Sequence, residues 1–179
     1  MVMNIIGVDI SLRSSGVVVY NSKTNSYPFF DLFLYKDKFA YDYVSFMNYQ
    51  NALDSYFTTR VMSSCGNRES VLFVVEGMTN RGHFHSTIKI MLARAAMFSV
   101  VSSIESENRH CDVITPRVQE WKKDIVGKGN ANKRDTFKWL SDRRTRYKVP
   151  FPIYEKDDLI DAACLVLYGR KTYLKEAIK

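Results

Sequence analysis

Residues 3–20 read MNIIGVDISLRSSGVVVY. The first half is an apolar run rich in β-branched residues, which predicts a buried strand. LRSS turns the chain, and GVVVYN predicts a second strand. Turn chemistry in SKTNSYP leads to a third, FFDLFLY. Three strands on short connections form an antiparallel meander. From Tyr41 to about Ser63 the spacing becomes helical, with Tyr43, Phe46, Met47, Leu53, Tyr56 and Phe57 as an apolar stripe. Such a stripe could be a platform for bases, but at this spacing it reads as core. VLFVVEG (71–77) is a continuous apolar strand bracketed by helices, which places it in a parallel, buried position. A long helix capped by Ser86, a short strand CDVITP, two helices in RVQEWKKDIV and KRDTFKWLSDRRTR, an extended VPFPIYEK and a last helix from about Asp158 complete the chain. The order β-β-β-α-β-α-β-α-α-α predicts an α/β protein with one mixed five-stranded sheet flanked by helices. Its 179 residues are expected to form a single domain over 1–179.

A hydrophobic content of 46% and a charged content of 25% fit a globular chain that needs no disulfide or structural metal. No run is read as long enough to span a membrane, and MVMNIIGVDI lacks the features of a signal peptide. Cys65, Cys111 and Cys164 are odd in number and far apart. They read as buried reduced thiols, and the expected compartment is the cytoplasm, or the host cytoplasm for a viral protein. The net charge of +7 favours a polyanionic partner.

The acids are less ordinary. Asp158 and Asp161 stand three apart, on one face of the last helix, and Asp161 is embedded in apolar sequence. Helix capping accounts well for Asp157, partly for Asp158 and poorly for Asp161. Asp9 follows IIGV, and Glu76 follows VLFVV. If the first and fourth strands are parallel neighbours, Asp9 and Glu76 share the carboxyl edge of the sheet, where open α/β sheets place ligands. Four carboxylates in one pocket repel one another unless cations hold them ionised. All-oxygen donors suit Mg²⁺ or Mn²⁺, two ions per site, as in phosphodiester hydrolysis. No organic cofactor is implied.

These residues carry a resemblance. IIGVDISLRSSGVVVY resembles the first hairpin of the RuvC-type Holliday junction resolvases, which have the ribonuclease-H-like fold. VVEG matches their second acid, and STIKIMLARAAMF resembles the helix that follows, down to Ser86, Lys89, Ala93 and Arg94. TPRVQEWKKDIVGKGNANK resembles their P-x-x-V-K…V-x-G-x-G-x-A-x-K stretch, and DDLIDAACL their closing D-x-x-D-A. The resemblance spans nearly the whole chain in order. It implies Asp9, Glu76, Asp158 and Asp161 as catalytic metal ligands, and Lys122 and Lys133 near the scissile phosphate, with Lys133 supporting transition-state charge. It also implies a homodimer that nicks a four-way junction in DNA recombination and repair, with the helix from Ser86 to Glu105 as the dimer face. DIS replaces the family's usual D-P-G, and Thr79 stands where bacterial members often carry an aromatic. Phe84, between His83 and His85, is either a substitute that stacks on a base or a loop anchor. A zinc pair at His83 and His85 lacks further ligands.

Lys122, Lys128, Lys133 and Arg134 belong to a run of basic residues ending at Lys148 that few acids dilute. With Arg94 and Phe84 they are the expected DNA-binding set. Trp121 and Trp139 read as core. The competing readings are a different nuclease on the same fold, cutting flaps or RNA–DNA hybrids, and a branched-DNA binding protein that does not cut. An actin-like phosphotransferase needs a second domain that 179 residues do not accommodate.

Overall fold

The computed structural model describes residues 3–66, 69–78, 84–106, 109–150, 152–153 and 156–178, with the side chains of 84–86 excepted. Strands β1 (Met3–Asp9), β2 (Ser14–Asn21), β3 (Ser26–Leu34), β4 (Ser70–Val75) and β5 (Cys111–Ile114) form one sheet in the order β3-β2-β1-β4-β5. β1 pairs antiparallel with β2 and parallel with β4; β2–β3 is antiparallel and β4–β5 parallel. This is the mixed five-stranded sheet expected from the meander and the bracketed strand. β1 is its central strand, and the topology switches there.

Period-two alternation divides β1 between two cores. Met3 and Ile5 join Val18, Leu72 and Val74 beneath α3 (Val118–Val126), α4 (Lys133–Tyr147) and α5 (Asp157–Tyr173). Ile6 and Val8 join Val17, Val19, Phe73 and Val75 beneath α1 (Tyr43–Tyr56) and α2 (Phe84–Ser106). Each fully buried side chain of this size contributes roughly 1.5–3 kcal/mol, so the two faces, not any one loop, hold the sheet edge in place. α5 is buried along nearly its whole length, Leu159, Ile160 and Ala162–Arg170. Its seating depends on two glycines. A Cβ on Gly7 would lie 2.1 Å from the Ala162 carbonyl oxygen, and one on Gly16 2.0 Å from that of Asp158. Bare backbone at these positions lets the first turns of α5 lie directly on β1 and β2.

Several expectations need correction. The α1 stripe is only half right. Tyr49, Leu53 and Tyr56 are buried, but Tyr43 is 76% exposed, and Phe46 and Met47 are half-buried. Tyr49 fills the core position because the helix starts at Tyr43, behind an Asp42 cap that accepts from the Ser45 amide. The helix then runs on through a π turn, Phe57–Val61. α2 begins at Phe84, so Ser86 lies inside the helix instead of capping it. The stretch Thr87–Ser106 is long and apolar enough to cross a membrane by length and composition, contrary to the sequence reading. One of its faces, Ala93, Ala96, Met97, Val100 and Ile104, is packed against the sheet. Residues 152–153 form a short helical turn where an extended segment was expected. Cys65, Cys111 and Cys164 are free and buried.

Candidate active site

Asp9 is the last residue of β1, and Glu76 follows β4 directly. The parallel ladder continues one step beyond β4: the Glu76 amide donates to the Val8 carbonyl at 3.0 Å. The two acids are thereby held at one sheet edge. Burial raises both above the ordinary carboxylate range, and repulsion from Asp161 adds to each. Burial is the largest cause for each; Glu76 is pushed up to about 7. Asp9 is raised well above its usual value, with Glu76, Asp161 and Asp158 adding repulsion.

α5 brings the other two acids. Asp158 accepts a hydrogen bond from Ser14 Oγ at 2.6 Å, which ties the helix start to the start of β2. Asp161, one turn on, is half-buried. Burial raises its carboxyl most, the neighbouring acids Asp157 and Asp158 add to that, and Lys122 and Lys133 pull the other way. Asp9 feels both Asp158 and Asp161, and Glu76 feels Asp161. Four carboxylates from opposite ends of the chain therefore share one electrostatic neighbourhood.

Two lysines flank it. Lys122 donates from Nζ to the Ala131 carbonyl at 2.9 Å. That bond links α3 to the glycine-bearing loop before α4, and the ammonium lowers both Glu76 and Asp161. Lys133 opens α4 and donates to Asp157 Oδ2 at 3.1 Å. This hydrogen bond is the largest cause of its raised pKa. α4 is anchored at that end by a capping box between Asn132 and Asp135, so the backbone of Lys133 is fixed while its side chain is exposed.

Three contacts at the site were not foreseen from the sequence. Trp121 is buried as expected, yet its indole N–H donates to Glu76 Oε1 at 3.2 Å, a hydrogen bond that lowers the acid's pKa. Ser14 positions Asp158. Asp157 lies in the first turn of α5, where an acid suits the helix N-terminus, and it also pairs with Lys133; the N-cap position, Lys156, makes no side-chain capping bond. No spacing rule marks Trp121 or Ser14, because each acts through a partner more than 40 residues away in sequence.

Other predicted residues lie apart. Arg94 is on α2, across the sheet from α5, with its guanidinium 5.5 Å from the Phe98 ring centre. Lys128 lines a shallow hollow against α4 with Lys138, Trp139 and Arg143, and with Asp135 and Asp142 among them. Arg134 is exposed in the first turn of α4. Thr79, His83 and the side chains of Phe84, His85 and Ser86 lie outside the described residues.

In kind the donors fit a hard divalent cation: carboxylate oxygens, crowded enough to be destabilised without a counter-charge. In arrangement, no three His, Cys, Asp or Glu side chains among the described residues converge as a ready-made ion cage.

No protein-family model and no curated protein sequence matches the chain. Solved structures do. RuvC of Thermus thermophilus superposes with a TM-score of 0.64 at 13% identity, covering 94% of this chain and 96% of that one. RuvC of the same organism in complex with a Holliday junction substrate gives 0.58 at 14%, over 94% and 95%. The yeast mitochondrial Holliday junction resolvase Ydc2 gives 0.61 at 8%, over 90% of this chain and 75% of its own. The chain thus has the fold of these Holliday junction resolvases over nearly its whole length.

Proposed function

We propose that this protein is a metal-dependent, structure-selective endonuclease, a crossover junction endodeoxyribonuclease that resolves four-way DNA junctions in the cytoplasm by paired nicks. The observation that carries the reading is the shared electrostatic neighbourhood of Asp9, Glu76, Asp158 and Asp161, flanked by Lys122 and Lys133, at the carboxyl edge of a sheet whose fold is that of Holliday junction resolvases. Asp9, Glu76, Asp158 and Asp161 would hold Mg²⁺ or Mn²⁺. When bound, a pair of such ions supplies an activated water and a counter-charge for the leaving oxygen.

The chain's own residues divide the remaining work. Trp121 orients Glu76, and Ser14 orients Asp158, so two of the four acids are held by hydrogen bonds before substrate arrives. Lys133 would leave Asp157 for the scissile phosphate and offset the charge that builds there. Lys122, fixed to the Ala131 carbonyl, would keep Asp161 and Glu76 ionised through its field. Lys128 and Arg134 extend the positive surface along which the phosphates would run.

Paired nicks on a four-way junction need two sites, hence a homodimer. α2 offers Met91 and Phe98 as exposed apolar side chains for that contact. A panel of four-way junction, flap, duplex and RNA–DNA hybrid, each with Mg²⁺ or Mn²⁺, tests the reading. Preferential cutting of the junction is expected. Preference for the hybrid would assign another activity on the same fold, and tight junction binding with no product would make the protein a non-cutting binder.

A further inference from the structure

The turn between β1 and β2 begins at Asp9 and ends at Ser14, and both ends belong to the acid site. Its middle faces something else. Ser11, Leu12 and Arg13 line a cavity of about 490 Å³ closed by the β3–α1 connection and the start of α2. That volume falls in the range of ligand pockets. The turn is held firmly: Ser11 Oγ accepts from the Ser14 amide at 3.0 Å, and the Ser11 carbonyl accepts from Tyr49 Oη at 2.9 Å. The acid site and the cavity are therefore rigidly joined through a few residues.

The cavity's lining is aromatic and cationic. Phe39 and Tyr41 meet edge to face, with ring centres 5.3 Å apart. Lys89 Nζ lies 5.8 Å from the Tyr41 ring centre. Arg13 and Lys38 add two more cations, and Asp37 a single acid. Phe39 is half-buried and reaches Tyr49 in the core, but Tyr41 is 49% exposed. Tyr41 also holds a left-handed backbone, φ 60°. That conformation is uncommon for a bulky aromatic, and strain of this kind concentrates at ligand clamps. A strained aromatic kept half in solvent is poorly explained as core. Flat apolar rings ringed by cations suit a flat ring with a phosphate attached.

We propose that this cavity receives one unstacked nucleobase of the strand being cut, with Tyr41 and Phe39 against the base and Arg13, Lys38 and Lys89 around its phosphates. The proposal rests on the nuclease reading for the identity of the strand. Asp37 gives the pocket one acceptor with which to favour a base bearing an amino group, such as cytosine.

The test uses the full-length protein and four-way junctions carrying 5-iodouracil at each position flanking the cut in turn, irradiated in EDTA so that no strand is hydrolysed. Single-stranded DNA with the same substitutions is run beside them. An adduct within residues 37–41 is expected at one position, absent in Tyr41→Gly and retained in Tyr41→Phe. Tyr41→Gly relieves the left-handed strain and is expected to melt no lower than wild type, which separates loss of binding from loss of folding. Removing the base at that one position should weaken binding to wild type about tenfold, in line with stacking on an aromatic, and should weaken Tyr41→Gly no further. Adducts confined to other segments on both DNAs, or an abasic scan that is flat in wild type, overturn the pocket. Cleavage with Mg²⁺ is scored separately on the same DNAs. An adduct at 37–41 without cleavage supports the base receptor and sinks the nuclease reading; cleavage without the adduct does the reverse.

Discussion

The indole N–H of Trp121 donates to Glu76 Oε1 across 3.2 Å, from a side chain that is otherwise wholly inside the core. One residue thereby joins the packing of α3 to the orientation of a candidate catalytic acid. Trp121→Phe keeps most of the apolar volume and removes the donor. A hydrogen bond to a charged group is worth about 1.5–3 kcal/mol, so a loss of about tenfold or more in turnover is expected, with junction affinity unchanged. The lost bond also lets the Glu76 pKa rise, so the acid limb of the pH–rate profile should move to higher pH. Equal losses in affinity and turnover would mean that the residue acts only through packing.

Gly7 and Gly16 set how closely α5 approaches the sheet. Gly16→Ala would drive a methyl into the Asp158 carbonyl, and Gly7→Ala into that of Ala162. Neither obstacle is a flexible side chain. Overpacking of this kind costs about 1–3 kcal/mol or more, and a chain of this size loses roughly 2–4 °C per kcal/mol. Each substitution should lower the melting temperature by about 5–10 °C and displace Asp158 and Asp161, abolishing activity even in the fraction that folds. A melting temperature within about 1 °C of wild type would show that the helix seats differently.

The apo protein should carry a pH signature. Glu76 is raised from its usual 4.5 to about 7, and Asp9 is raised as well. Folded values above unfolded ones mean that the pair's contribution is fully present below the unfolded values and is lost as pH rises through the folded ones. In chelator, thermal stability should therefore decline from about pH 4.5 to about 7. Glu76→Gln should flatten that decline, and Mg²⁺ at a pH above the window should raise the melting temperature of wild type more than that of the variant. A profile that rises across the same window would contradict the crowding of these acids.

Lys133 separates activity from stability. Its pair with Asp157 is exposed on both sides, and such pairs contribute about 0–1 kcal/mol. Lys133→Ala should leave the melting temperature nearly unchanged. Loss of a group that offsets transition-state charge costs about 10²–10³ in turnover, and a fall of that order is expected here. Asp157→Asn should be nearly silent in both assays, because it only parks the lysine.

The meander and the parallel, buried place of β4 were legible because apolar runs, turn residues and helical spacing alternate cleanly along the chain, whereas the pairing of β1 with β4 entered only as a condition, which the structure meets. Acids at Asp9 and Glu76 stood out against the strands that precede them, and Asp161 against its apolar neighbours. What the sequence hid was relational. Trp121 looks like any core tryptophan until β4 ends opposite it. Gly7 and Gly16 look like ordinary strand residues until α5 lies on them. The α1 stripe failed at Tyr43 because its phase depends on where the Asp42 cap starts the helix, a boundary that periodicity does not mark. Ser86 failed for the same reason. The aromatic and cationic lining of the cavity at Arg13, Tyr41 and Lys89 comes from three separated segments, so no single window displays it.

The most direct measurement is cleavage of a synthetic four-way junction with Mg²⁺ by wild type, Asp161→Asn and Asp158→Asn, with binding of the same junction followed in parallel. Wild type should release paired nicked products, and both variants should bind the junction yet cut it at least about 100-fold more slowly. Cutting by either variant at the wild-type rate, or no product from wild type at any Mg²⁺ or Mn²⁺ concentration, would contradict the account.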